Sequence, residues 1–222
     1  MDPLRRLAIA KSIVSAKINN QSGVVRKYKY HDTNSDLDKN LSSIKVFTDK
    51  LDAAKSIEEV MGVEGISARY YWDSFRRLLK DPVFTRREYR PSPDYVNAIL
   101  NLGYAFLHNE ITTCLMAKHF DLEIGFLHSI HYGRNSLALD LMEEFRAVFI
   151  DAWVLALLNK NQLKAAHFHL ENGDWRLTDD GFSKFCNLYH ERRLTWLEKF
   201  RNQANSLKDT LIKGGAYVPQ FY

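Results

Sequence analysis

The sequence predicts a mainly α-helical domain that carries one small β-hairpin. Apolar residues recur at the 3–4 spacing of helices along most of the 222-residue chain. A single Asn172-Gly173 pair stands between two short alternating segments, which is typical of a hairpin with a type I′ turn. Hydrophobic residues make up 45% of the chain, so a substantial core is possible in one domain spanning residues 1–222.

The first predicted helices lie in the N-terminal half. One helical face collects five apolar residues, with one turn skipped: Leu37, Leu41, Ile44, Leu51 and Ala54. Ser56 and Glu59 form the S-x-x-E pattern of a capping box, so we expect the next helix to begin there and to run to Leu79. Ser92 followed by Pro93 is typical of an N-cap and first turn, which predicts a further helix.

The second half is predicted to continue as helix, interrupted once. Asn135 or Ser136 caps a helix that extends to Leu158. The hairpin falls within residues 165–178, C-terminal helices are expected over 181–213, and residues 214–222 are expected to form a loose tail. The candidate functional residues lie in segments 36–80 and 92–159. The segments KYKYHDTNSD and KDPVFTRREYRPSPD are predicted loops.

Charge and cysteine content restrict the classes of protein. The net charge is +4, and basic residues concentrate in segments 1–30 and 74–90. Such blocks either contact phosphates or form solvated helix faces. Cys114 and Cys186 give no disulfide framework, no apolar segment reaches membrane-spanning length, and the start has no cleavable signal pattern. We therefore expect a cytoplasmic protein.

Two acids stand among the leucines of the helix predicted from residue 136. Asp140 and Glu143 are three residues apart and share a helical face. Adjacent carboxylates raise each other's pKa unless a positive charge lies between them, and a divalent cation is a natural solution. His128 on the preceding loop could reach the same place. The alternative is a solvent-facing edge in which the acids pair with Arg134 or Arg146.

A third acid, Glu64, lies between Gly62 and Gly65 in a predicted helix. Glycine within a helix costs about 1 kcal/mol relative to alanine, so both glycines need a reason. One reason is close approach of another backbone or of a ligand. Glu64 shares a face with Tyr71 and Phe75, which predicts that it points inward. The alternative is a helix break at Gly62 with an exposed Glu64.

Several motifs resemble those of the CRISPR-associated protein one family. The stretch GFLHSIHYGRNSLALDLMEEFR, residues 125–146, is similar to the family's G-F-L-H, G-R and S-L-A-L-D-L-M-E-E-F-R elements. VEGISARYYW resembles its E-G-x-x-A-R-x-Y element, and AKINNQ resembles its K-I-x-N-Q element. The resemblance covers nearly the whole chain in the right order.

The resemblance implies a site and a reaction. The family's metal ligands fall on Glu64, His128 and Glu143, with Asp140 beside them, and the implied cofactor is Mg²⁺ or Mn²⁺. The family cuts and joins DNA, inserts short foreign DNA segments into a CRISPR array, and works with CRISPR-associated protein two. Its members usually begin with a β-rich domain that contributes to dimerisation. This chain starts directly in the helical part, so a homodimer is left open.

We therefore expect a divalent-metal-dependent DNA endonuclease and strand-transfer enzyme. Its candidate phosphate contacts are six arginines: Arg69, Arg76, Arg77, Arg86, Arg87 and Arg134. One alternative is a non-catalytic DNA-binding or scaffold module of a CRISPR adaptation complex. Another is a helical redox metalloprotein with carboxylate ligands, although such sites usually use Glu-x-x-His pairs and the candidate ligands include none.

Overall fold

A computed structural model describes residues 2–29 and 35–222. The described chain is mainly helical, as predicted, with eight α-helices and one two-stranded sheet. The helices are α1 (Pro3–Lys29), α2 (Ser35–Ala53), α3 (Ile57–Leu78), α4 (Tyr95–Met116), α5 (Ser136–Phe145), α6 (Ala152–Asn159), α7 (Asp179–Leu194) and α8 (Leu197–Lys213). The predicted loop KYKYHDTNSD lies partly outside the described residues, and its two ends belong to α1 and α2. No helix among the described residues is long and apolar enough to span a bilayer.

Helix α1 is the central element of the fold. It packs against α2, α3 and α5, and its buried side chains lie on several faces, from Ile9 to Val25. A helix buried on several sides has no single apolar stripe, which is why the apolar spacing did not mark it. Its inward positions include polar residues, among them Asn20 and Gln21.

Two helix starts differ in detail from the prediction. Ser56 is the N-cap of α3 and its side chain accepts from the Glu59 backbone N–H, but the Glu59 carboxylate accepts from Lys55 instead of Ser56. The prediction that Ser92 caps α4 is wrong. The cap is Asp94, whose carboxylate accepts from the Asn97 N–H at 2.7 Å. Ser92 instead donates its backbone N–H to Asp174 of the hairpin.

The helix predicted from residue 136 to Leu158 has the expected extent but not a uniform winding. A π-helical segment, Arg146–Asp151, separates α5 from α6. The wider turn leaves backbone carbonyls of Val148 and Phe149 as acceptors for the Arg192 guanidinium, each at 2.6 Å. Such segments frequently occur at functional sites, and this one directly follows the motif that contains Glu143.

The hairpin is confirmed, and the expectation of a loose tail is wrong. Strands β1 (Phe168–Glu171) and β2 (Asp174–Leu177) pair antiparallel, and Asn172 and Gly173 both have positive φ, as a type I′ turn requires. In the tail, Tyr217 is buried and donates its hydroxyl to Glu144 Oε1 at 2.5 Å. The tail is held because the buried Glu144 carboxylate needs hydrogen-bond donors.

Candidate metal centre

Asp140, at the middle of α5, organises the loop before the helix. The carboxylate is fully buried, and Oδ2 accepts from the backbone N–H groups of Phe126 (2.5 Å) and Leu127 (3.0 Å). Oδ1 accepts from the His128 N–H at 3.0 Å and lies 2.6 Å from the His128 ring Nδ1. Both carboxylate oxygens are therefore occupied in positioning the loop and the imidazole.

Gly125 allows this close approach. A Cβ added at this position would lie 2.7 Å from the His128 carbonyl oxygen and 2.9 Å from Asp140 Oδ2. Those separations are shorter than van der Waals contact, so a side chain there would push the loop away from Asp140.

His128 is half-buried and has one ring nitrogen fixed. Because an ionised carboxylate can only accept, Nδ1 donates to Asp140 and Nε2 is left for another partner. Metal-ligating histidines commonly donate their second ring N–H to a carboxylate in this way. The arrangement fits a histidine prepared either to bind a cation or to move a proton.

Glu64 and Glu143 meet across a lysine that sequence reasoning did not assign to the site. Lys17 Nζ lies 2.5 Å from Glu64 Oε1 and 2.7 Å from Glu143 Oε2. Burial alone would lower the pKa of Lys17, but the charges of Glu143 and Glu64 outweigh it and raise that pKa. The available signal was the K-I-x-N-Q element, whose first residue is Lys17.

Glu143 keeps its charge because cations surround it. Burial would raise its pKa, but Arg146 and Lys17 reverse the effect, so the pKa of Glu143 is lowered. Arg146 Nε lies 3.0 Å from Glu143 Oε1, so Glu143 does pair with Arg146, as the alternative predicted. The alternative is wrong in placing this pair at a solvent-facing edge, because Glu143 is buried. Lys17 and Arg146 thus supply the positive charge that the sequence analysis expected beside Glu143.

The donor set fits a hard divalent cation, although the structure does not close it into a three-ligand cage. Glu143 Oε2 is buried and accepts no hydrogen bond from the described residues, and its contact with Lys17 Nζ at 2.7 Å is an ion pair. Carboxylate oxygens with free lone pairs are the ligands that Mg²⁺ and Mn²⁺ prefer. Among the residues described, no three His, Cys, Asp or Glu side chains are already gathered at coordination distance.

The two glycines flanking Glu64 do not accommodate another part of the chain. Helix α3 runs unbroken through both, and a Cβ at Gly62 or Gly65 would meet no atom within 4 Å. The prediction of close backbone approach is therefore wrong, and so is the alternative of a helix break. Glu64 is neither fully inward nor fully exposed, with 24% of its side chain accessible. The surface beside it is open to an incoming ligand.

A cavity of about 300 Å³ adjoins Glu64 and Lys17. Its lining includes Lys17, Glu64, Trp72, Tyr104, Arg146 and Asp151. Asp151 is buried and accepts hydroxyl hydrogen bonds from Tyr71 at 2.8 Å and Tyr104 at 2.5 Å, while burial raises its pKa to about 6. Sequence reasoning did not single out Asp151, since only the tertiary fold brings the two tyrosines to it.

The predicted phosphate-contacting arginines occupy different settings. Arg76 pairs with Asp73, Arg77 with Asp73 and Asp36, and Arg86 with Glu88. Arg87 donates to Asn97 and Asn101 and lies over the rings of Trp72 and Tyr104. Arg134 donates to Ser129 and Ser136, which braces the His128 loop, and Arg69 is exposed on α3. Their contact with DNA remains a prediction.

The sequence matches the family model of CRISPR associated protein Cas1 over residues 1–191. A curated relative named CRISPR-associated endonuclease Cas1, from Leptospira interrogans, is 36% identical over 85% of this chain and 77% of its own length. A relative from Thermus thermophilus, named CRISPR-associated endonuclease Cas1 3, is 33% identical over 86% of this chain and 56% of its own length.

Solved structures agree with the fold. A Cas1 protein from Thermotoga maritima superposes with a TM-score of 0.87 at 25% identity, covering 99% of this chain and 69% of that one. A casposase bound to an integration product superposes with a TM-score of 0.84 at 26% identity, covering 98% of this chain and 64% of that one. A Cas6-RT-Cas1–Cas2 complex contains a chain with a TM-score of 0.89 at 25% identity, covering 97% of this chain and 25% of that one. The matched motifs, the helical fold and the extent of these similarities show that the chain belongs to the CRISPR-associated Cas1 family.

Proposed function

We propose that this chain carries the catalytic centre of a divalent-cation-dependent DNA endonuclease and strand-transfer enzyme that inserts short DNA segments into a CRISPR array. The observation that carries the proposal is the opposition of Glu64 and Glu143 across a position held by one positive charge. Beside them, the ring of His128 is oriented by the buried Asp140. Two carboxylates and an oriented imidazole are the groups that a metal-assisted phosphodiester reaction requires.

Glu64, Glu143 and His128 would hold Mg²⁺ or Mn²⁺. When bound, such a cation supplies Lewis-acid stabilisation of the negative charge that develops on a phosphate oxygen. Asp140 keeps His128 in the tautomer whose Nε2 faces outward, where it either binds the cation or transfers a proton to a strand oxygen. In the strand-transfer step a DNA 3′-hydroxyl attacks the phosphorus and a 3′-oxygen leaves, without a covalent bond to the protein.

The names of the relatives support the reaction and the partners. The curated relatives are named endonucleases, one structural neighbour is a casposase on its integration product, and another lies in a complex with Cas2. The matched region spans 56% of the Thermus relative, so the activity of a whole protein is part of the proposal. We propose duplex or branched DNA and CRISPR-associated protein two as partners, in the cytoplasm.

The test is a cleavage and strand-transfer assay on labelled branched DNA, with Mn²⁺ and with a chelator. Glu64→Gln and Glu143→Gln should each reduce the Mn²⁺-dependent products by at least about a hundredfold, because each removes a proposed ligand. Glu58→Gln is the matched control, since Glu58 is an exposed acid on the same helix as Glu64. Equal rates in all three variants would show that the carboxylate pair is not the catalytic centre.

A non-catalytic DNA-binding module remains the second candidate. Two observations favour it: Lys17 and Arg146 already balance the charge of the carboxylate pair, and no complete ligand set is preassembled among the described residues. Under this alternative the chain binds branched DNA in the same assay but yields no product with Mn²⁺ or Mg²⁺. The redox alternative finds no support in the names of the relatives, which are nucleases.

A further inference from the structure

We infer that Lys17 is an exchangeable counter-ion, whose ammonium group occupies the cation position between Glu64 and Glu143 and leaves it when a divalent cation binds. The inference rests on the proposed metal site. It goes beyond that site by naming what the carboxylates bind before the metal arrives and what the released group then contacts.

The distances leave no room for both cations. Lys17 Nζ lies 2.5 Å from Glu64 Oε1 and 2.7 Å from Glu143 Oε2, so these two oxygens are no farther apart than the sum of the two distances. Divalent cations bind carboxylate oxygens at roughly 2.0–2.6 Å. A metal ion held by both oxygens would therefore lie at or close beside the position of Nζ, and like charges at such separation repel strongly.

Burial explains why a counter-ion is needed in the first place. The side chains of Lys17 and Glu143 are 14% and 6% exposed. Glu64 is more accessible, at 24%, but it faces the buried Glu143 carboxylate, and two facing carboxylates are costly unless a positive charge lies between them. Lys17 supplies that charge in the metal-free protein, and it joins α1 to α3 and α5 while doing so.

The released ammonium has a place to go. Lys17 also lines the cavity of about 300 Å³ beside Glu64, together with Tyr104 and Arg146. Its four-carbon stem can turn into this space while α1 stays fixed. Arg146 lies over the Tyr104 ring and forms an ion pair with Glu143, and its hydrogen bond within the described part of the chain goes to the Met142 sulfur, a weak acceptor, at 3.6 Å. Metal binding would thus free a second cation beside Arg146, where both can contact a DNA phosphate.

A purely structural ion pair predicts the opposite effect on metal binding. If Lys17 only tied the helices together, its removal would loosen Glu64 and Glu143 and weaken their affinity for a metal ion. If Lys17 competes for the same position, its removal strengthens that affinity. Binding measured without catalysis therefore separates the two roles.

The experiment is a titration of the metal-free protein with Mn²⁺, followed by the electron paramagnetic resonance signal of free Mn²⁺. Lys17→Met should bind Mn²⁺ about tenfold or more tightly than the parent, the effect of removing one charge-assisted contact. Lys17→Arg keeps the positive charge, so its affinity should stay near that of the parent. Lys45→Met, an exposed lysine on α2, controls for loss of net charge.

Two further measurements complete the test. Thermal unfolding should show that Lys17→Met is less stable than the parent without metal and regains that stability with Mn²⁺. Mn²⁺ should also increase the affinity for labelled DNA more in the parent than in Lys17→Met. Lys17→Gln replaces the methionine variant if that variant does not fold.

The outcomes are distinguishable. Mn²⁺ binding to the parent with unchanged or weaker binding to Lys17→Met would overturn the counter-ion inference and leave the proposed metal site standing. Absence of Mn²⁺ binding in the parent and in every Lys17 variant would overturn the metal site itself.

Discussion

At the scale of single residues, Asp140 illustrates how a carboxylate can serve a site without binding the ligand. It receives three backbone N–H groups and one imidazole nitrogen, all from residues 126–128. Asp140→Asn keeps the shape but turns an amide nitrogen toward these donors. We expect the free energy of unfolding to fall by about 1–3 kcal/mol, because a buried donor then lacks an acceptor. Urea denaturation measures this, and a variant as stable as the parent would contradict the assigned role.

His128 should behave differently, since it is half-buried and lies on a loop. His128→Ala is expected to reduce Mn²⁺-dependent cleavage and strand transfer by about 10²–10⁴-fold while the unfolding free energy changes by only about 1 kcal/mol. His131→Ala, an exposed neighbour on the same loop, is the control. Wild-type rates in the His128 variant would exclude a catalytic or ligand role for this imidazole.

At the scale of elements, the glycines of α3 and of the site loop have opposite functions. No atom lies near a Cβ built at Gly62, and the helix continues through it. Gly62→Ala should therefore stabilise the protein by about 1 kcal/mol, from helix propensity alone. Gly125→Ala should destabilise it, because its Cβ would meet the His128 carbonyl. Denaturation midpoints of both variants test the pair, and a loss of stability in Gly62→Ala would reveal a contact that the fold does not show.

The C-terminal tail and α5 should respond to pH together. Burial raises the pKa of Glu144 to about 8, although the Tyr217 hydroxyl and the Gln220 N–H favour its charged form. The pKa of this carboxyl group is about 4.5 in the unfolded chain and about 8 in the folded protein. Its contribution to stability is therefore fully present below pH 4.5 and is lost as the pH rises through 8. Stability should thus fall with pH in this window, by at most about 1.4 kcal/mol per pH unit for one proton.

The difference between the parent and Glu144→Gln isolates this contribution. Asp151 acts in the same direction, but its pKa of about 6 limits its effect to lower pH. Between pH 6 and 8, unfolding free energies of the parent should decline relative to those of the variant. Parallel pH profiles would show that Glu144 is charged in the folded protein.

At the scale of the whole molecule, positive charge is distributed differently from the predicted arginine set. A groove of about 1190 Å³ collects six cationic side chains, and no Asp or Glu side chain among the described residues lines it. The six are Lys27, Arg77, Lys80, Lys160, Arg192 and Lys199. Of these six, Arg77 pairs with Asp73 and Asp36, and outside the groove Arg76 and Arg86 also pair with nearby carboxylates. A cation without a carboxylate partner offers more to a phosphate than one already neutralised.

We therefore expect charge reversal at Lys27, Lys80 and Lys160 to weaken DNA binding more than reversal at Arg76 and Arg86. Log affinity should fall linearly with log salt, with a slope of about −0.9 per phosphate neutralised on duplex DNA. The slope of log affinity against log salt should be shallower for the lysine variants than for the arginine variants. Titrations of labelled DNA at several salt concentrations measure both effects, and a larger loss in the arginine variants would restore the arginines as the principal contacts.

Much of the fold could be predicted from local patterns, because they express local rules. The Asn172-Gly173 turn, the start of α3 at Ser56 and the extent of the helix from residue 136 follow from backbone preference and side-chain spacing. Helix α4 shows the limit of such rules. Ser92-Pro93 resembles a helix start, yet Asp94 became the cap while Ser92 bonded to the hairpin, a partner that is distant in sequence.

The sequence by itself determined the helical class, the hairpin, the candidate acids and the family, since each is carried by spacing or motif along the chain. Only the tertiary structure decided which groups meet. Asp140 contacts the His128 loop, whereas Glu143 contacts Lys17. Lys17 of α1 lies between Glu143 of α5 and Glu64 of α3. Ion pairing in a buried site depends on distances between elements far apart in sequence, and the packing of helices sets those distances.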